Sequence, residues 1–116
     1  MNKYTGTVNR ADCNWQVTVN GAALAQRQDL RNHSPTGFAW GYGGSGPAQT
    51  ALAILAHELG DLFALAAYQD FKFAHVARWP QDEPFEIDGD TIREWFQEWR
   101  SNERNAKRLE RLRHEA

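Results

Sequence analysis

Residues 34–59 read SPTGFAWGYGGSGPAQTALAILAHEL, and the rest of the chain is organised around them. The first half holds Gly37, Gly41, Gly43, Gly44 and Gly46, interleaved with Phe38, Trp40 and Tyr42. In the second half Ala48, Ala51, Leu52, Leu55, Ala56 and Leu59 keep the i, i+3, i+4, i+7 spacing of a helix. Ala53 and Ile54 widen that face until only Gln49, Thr50, His57 and Glu58 are polar. A helix this apolar belongs near the centre of a fold. The spacing predicts a helix from about Pro47 to Leu59, with Ser45 or Gly46 as N-cap. Pro47 suits the first position and Gly60 the left-handed stop.

The glycine-rich half has two readings. In one, the backbone N–H groups of Gly43, Gly44, Ser45 and Gly46 form a nest at the positive end of the helix dipole. They would cradle a phosphate or carboxylate, with Trp40 and Tyr42 as stacking faces and Arg31 as the nearest cation. In the other, the aromatics plug the core and the glycines only let the chain turn. Neither a Walker motif nor a dinucleotide fingerprint is present, because no Gly-Lys-Ser/Thr follows and the spacing fails.

Upstream, residues 3–9 and 15–20 carry the strand signal. Trp15, Val17 and Val19 alternate with Gln16, Thr18 and Asn20, a period of two with one buried face. Tyr4, Thr5, Thr7 and Val8 supply the partner run. Asn20-Gly21 is a turn dipeptide. A lone hairpin is marginal in water, so its apolar face must lie on helices. Residues 22–33 form a connection with room for one short strand or turn.

Downstream, a second helix is expected over about 62–79, with Leu62, Leu65, Ala66, Phe73, Val76 and Ala77 as its stripe and Lys72 polar. Pro80 ends it. Residues 84–88 make a short extended piece with Phe85 and Ile87 on one side. Five acids and no base fall in 82–90. They lack the later ligands of a calcium loop, so Asp88 or Asp90 reads as the cap of a third helix. There Ile92, Trp95, Phe96 and Trp99 make a narrow core-facing stripe, with Arg93, Glu94, Gln97 and Glu98 facing away. Residues 100–116 are helix-prone and net basic, with Ala106, Leu109 and Leu112 their only apolar marks. The division is thus a globular unit over 1–99 and a charged, solvated helical tail over 100–116. In that tail Arg104, Arg108 and Arg111 are the candidate partner-facing residues. No aromatics interleave its bases, so a single-strand stacking platform is not expected.

Composition bounds the function. A chain of 116 residues with 41% hydrophobic and 24% charged residues makes one globular domain. A net charge of −2 argues for no particular polyelectrolyte partner. One cysteine, Cys13, excludes an internal disulfide and a four-cysteine zinc site. No apolar run reaches bilayer length, and Met1-Asn2-Lys3-Tyr4 starts no signal-peptide core, so a cytoplasmic setting is expected. His57-Glu58 begins a zincin motif whose second histidine is missing. Ser34 and Ser45 approach His33 and His57 only in sequence. No catalytic residue, metal ligand or cofactor is therefore assigned.

The run from Arg31 to Phe38, with Trp40-Gly41-Tyr42-Gly43-Gly44-Ser45-Gly46-Pro47-Ala48-Gln49, resembles the signature of an uncharacterised family. That family, a numbered domain of unknown function, comprises small bacterial, archaeal, plasmid and phage proteins. Tyr68-Gln69-Asp70-Phe71-Lys72 and Val76-Ala77-Arg78 resemble its second block. The similarity covers roughly residues 3–97, so the tail after Trp99 looks like an addition. It implies no activity. It does imply a mobile-element setting, in which a small protein binds a host protein such as a defence complex.

The expectation is therefore an α+β domain: an N-terminal antiparallel hairpin or three-stranded sheet on about three helices, with a basic helical extension. Its expected function is non-catalytic binding of a small anionic ligand or nucleotide at the glycine loop. The alternatives are a protein-interaction module and, third, nucleic-acid binding through the basic tail.

Overall fold

A computed structural model describes residues 1–35 and 37–115. Thr36, in the glycine-rich stretch, and Ala116, at the end of the tail, lie outside the described residues. The architecture is α+β. Strands β1 (Lys3–Asn9), β2 (Asn14–Val19) and β3 (Ala22–Ala23) precede helices α1 (Ser45–Leu59) and α2 (Asp61–Ala74). A single 3-10 turn (Val76–Arg78), β4 (Phe85–Asp88), α3 (Gly89–Ser101) and α4 (Glu103–Glu115) follow.

The sheet is antiparallel, in the order β3-β2-β1-β4. Asn20 and Gly21 both have positive φ, 53° and 85°, as a two-residue hairpin turn between β2 and β3 requires. The extended piece at 85–88 is a fourth strand on the free edge of β1, with Gly6 opposite Phe85 and Tyr4 opposite Ile87. Its pairing spans some eighty residues of chain and leaves no local signature. Tyr4, Val17, Val19, Phe85 and Ile87 alternate inward onto the helices.

Helix α1 is the centre. Every residue from Gly46 to Ala56 is buried, including Gln49 and Thr50. These two polar side chains hold the incoming connection. Gln49 Oε1 accepts from the His33 N–H at 2.8 Å, and its Nε2 donates to the Gln26 carbonyl at 2.6 Å. Thr50 Oγ1 accepts from the Ala39 N–H at 3.1 Å and donates to the Ala39 carbonyl at 2.7 Å. Buried polar groups persist when bonded in this way.

Of the expected stripe of helix α2, Ala66 is buried, as is Val76 in the turn beyond the helix, but the main buried face is another. Ala64, Ala67, Tyr68 and Phe71 form the buried i, i+3, i+4, i+7 series, and Lys72 is buried beside them. Phe73, expected inside, is 57% exposed. Two stripes overlap in this sequence, and the small Ala64 and Ala67 let α2 approach α1 closely. The helix also ends earlier than expected, at Ala74. Helix α3 buries Ile92, Phe96 and Trp99 and half-buries Trp95. Asp88 caps it, accepting from the Thr91 N–H at 2.8 Å. In α4, Leu109 is buried and Leu112 packs beside it, against a core reached through α2 and α3. No helix of the described residues is long and apolar enough to cross a membrane.

Candidate functional site

The glycine loop divides its aromatics between the core and the surface. Phe38 and Trp40 are buried, Trp40 to 1% exposure. The Trp40 indole N–H donates to the Glu83 carbonyl at 2.7 Å. Its ring meets Phe85 edge-on at 4.8 Å, and Trp79 stacks on the other side of Phe85 at 4.0 Å. Trp40, expected to stack a ligand, is thus a core plug. Gly41 is the conformational hinge of the loop. Its φ is 89°, its N–H donates to the Val76 carbonyl at 3.0 Å, and a Cβ here would run into the Gln81 backbone.

Beyond that hinge the chain is more open. Gly44, and not Ser45 or Gly46, is the N-cap of α1, in an extended conformation with no side-chain cap. None of Gly43, Gly44 and Gly46 has a positive φ, so the alternating-handed nest expected there does not form. What remains is the helix terminus itself. The N–H groups of Gly43, Gly44, Ser45 and Gly46 have no acceptor among the described residues. The Tyr42 ring lies over the first turn. A Cβ on Gly44 would sit 2.5 Å from Tyr42 Cε2, and one on Gly46 would sit 3.0 Å from its hydroxyl. Gly46 is buried beneath it, so the accessible donors are those of Gly43 to Ser45.

Arg31 does not serve this loop. Its guanidinium folds back on the Leu30 carbonyl at 2.8 Å. The cation that reaches the loop is Lys72, only 6% exposed, whose Nζ donates to the Gly43 carbonyl at 3.3 Å. The same ammonium lies 4.3 Å from the Phe73 ring centre. Phe73 and Tyr42, exposed large apolar side chains, lie beside this stretch, Phe73 against Gly43 and Tyr42 against Gly44. The choice of stripe on α2 hid Lys72 and Phe73 from sequence reasoning. The Ala64-Ala67-Tyr68-Phe71 series would have placed both correctly.

A second polar cluster joins β1, the end of α1 and α3. The Glu58 side chain is 3% exposed and accepts from Tyr4 Oη at 3.0 Å, Asn2 Nδ2 at 3.1 Å and Arg93 Nε at 2.6 Å. Burial by itself would raise its pKa. The bonds from Asn2, Arg93 and Tyr4 outweigh that and hold the carboxyl below the usual glutamate range. Burial, then the adjacent carboxylate, pushes the Tyr4 phenol well above its ordinary value. Gly89 leaves the room Glu58 occupies, since a Cβ there would meet Glu58 Oε1 at 2.5 Å. His57, exposed as expected, pairs its Nδ1 with Tyr4 Oη at 2.8 Å. Elsewhere His75 lies half-buried beside Phe71 and Trp95, and burial together with Arg78 lowers its pKa. Among the described residues, no three His, Cys, Asp or Glu side chains are grouped to hold a metal ion.

On α4, Arg104, Arg108 and Arg111 are exposed, and none has a carboxylate partner among the described residues. Lys107, Arg113 and His114 by contrast pair with Glu103 or Glu110 on their own helix.

A family model described as a family of unknown function, DUF6166, matches residues 4–98. The chain belongs to this family. The DUF6166 match takes in the sheet except Lys3, the glycine loop, the Glu58 cluster except Asn2 and most of α3, and leaves α4 outside. No curated protein and no solved structure matches the chain.

Proposed function

We propose that this DUF6166 protein is a non-catalytic binding module whose glycine loop takes a small anionic ligand, a phosphate group or a nucleotide. The observation that carries the reading is the open terminus of α1. Donors from Gly43 to Ser45 lack acceptors at the positive end of a fifteen-residue helix. The Lys72 ammonium bonds the Gly43 carbonyl, and the exposed Tyr42 and Phe73 rings lie beside Gly44 and Gly43. Inorganic phosphate and a nucleotide panel should raise the melting temperature, because a ligand that binds only the folded state stabilises it by mass action. Gly44→Val should abolish the shift and leave the fold intact. An unchanged melting temperature across the panel would defeat the proposal.

A second reading rests on the unpaired row Arg104, Arg108 and Arg111. In it the chain is a mobile-element protein whose α4 faces an acidic surface of a host protein, or phosphates of a nucleic acid. Charge reversal at all three arginines should abolish DNA retardation at low salt if phosphates are the partner. Retardation that persists in the reversed protein would remove that version.

A further inference from the structure

We propose that the cleft between α3 and the α1–α2 junction is a second ligand site, one that takes a small aromatic carboxylate. The cleft has a volume of about 130 Å3, and Leu59, Phe63, Arg93, Phe96, Gln97 and Arg100 line it with the Glu58 carboxylate. That volume is close to the roughly 150 Å3 of an apolar cavity known to hold a benzene ring. Leu59, Phe63 and Phe96 supply the apolar wall, with the two phenyl rings 4.9 Å apart.

The polar side of the cleft is built on one helix face. Arg93, Gln97 and Arg100 stand at i, i+4 and i+7 on α3. Arg93 is held from behind: its Nε donates to Glu58 Oε2 at 2.6 Å and its Nη2 to the Glu58 carbonyl at 3.1 Å. Its Nη1 has no acceptor among the described residues. Arg100 is half-buried, with its guanidinium 5.2 Å from the Phe63 ring centre and 5.4 Å from that of Phe96. It has no hydrogen-bond acceptor or carboxylate among the described residues. The rings thus fix a planar five-donor group whose natural partner is a carboxylate. Among the residues lining the cleft, two guanidinium groups stand against one carboxylate, an excess of one positive charge. A monoanion with a flat apolar body matches both the charge and the wall, whereas inorganic phosphate would leave the apolar wall facing water.

The test is an NMR titration of the whole chain, isotopically labelled, with sodium benzoate. It follows the Arg93 and Arg100 Nε–H signals and the Gln97 side-chain amide. Saturable shifts at these groups are expected, whether or not the Gly43 and Gly44 amides also move. Benzamide, the neutral isostere, and inorganic phosphate should each bind at least about tenfold more weakly, the loss expected of one charge-assisted hydrogen bond or of the ring contact. Arg100→Met keeps the apolar stem on the two rings and should weaken benzoate by a similar factor. Gln97→Glu, at an exposed position, places a competing carboxylate at the cleft and should do the same if the first variant fails to fold. The proposal is overturned if no saturable shift occurs, if a folded variant binds benzoate unchanged, or if benzamide or phosphate binds as well. Because the glycine loop is read separately, its failure to bind phosphate leaves this result standing, and the reverse also holds.

Discussion

Replacing Glu58 by glutamine removes one charge from the interior and almost no volume. The carboxylate divides its three side-chain donors, Tyr4 and Asn2 on Oε1 and Arg93 on Oε2. An amide can keep its oxygen toward Tyr4 and Asn2, but its NH2 group must then face the Arg93 Nε–H. One charge-assisted bond is lost, for which about 1.5–3 kcal/mol is typical. The Arg93 side chain is 61% exposed and can turn to water, so the lower half of that range applies and a loss of about 2 kcal/mol is expected. The pH dependence distinguishes this from a packing defect. A carboxyl whose pKa is depressed by folding adds stability above its unfolded value, and that stability is lost as pH falls through the folded one. Urea unfolding followed by tryptophan fluorescence should therefore show the full penalty at about pH 7. The gap from wild type should be narrower at about pH 3, below the ordinary glutamate pKa, because the unfolded chain is then protonated at this site. A penalty below about 0.5 kcal/mol, or one equal at both pH values, would refute the reasoning.

Three further outcomes are expected. Gly41→Ala should cost more than about 1 kcal/mol in thermal unfolding, because φ is 89° and the Gln81 backbone occupies the space; an unchanged melting temperature would contradict both observations. Lys72→Met should leave stability equal or higher, since a buried ammonium is replaced by an apolar chain of similar length, yet phosphate should no longer raise the melting temperature. Retained phosphate stabilisation would remove Lys72 from the site. Leu109→Ala should cost about 2 kcal/mol and speed hydrogen exchange across residues 103–115, as α4 is pinned chiefly by this side chain; unchanged exchange would mean that α4 is held some other way.

The chain by itself determined what local chemistry can specify. The two-residue period of Trp15, Val17 and Val19, the Asn20-Gly21 turn, the all-round apolar α1, a cap at Asp88 or Asp90 and the Ile92-Trp95-Phe96-Trp99 stripe are each written within one element or its end. Only the tertiary structure decided which of two stripes α2 buries, that residues 85–88 return to pair with β1, and that Trp40 plugs the core while Tyr42 stays outside. It also turned Gln49, Thr50, Glu58 and Lys72 inward. A buried polar side chain is tolerated only when its partner is present, and here most of those partners come from distant parts of the chain. Arg93 lies 35 residues from Glu58, and Gly43 lies 29 from Lys72, beyond the reach of any local pattern.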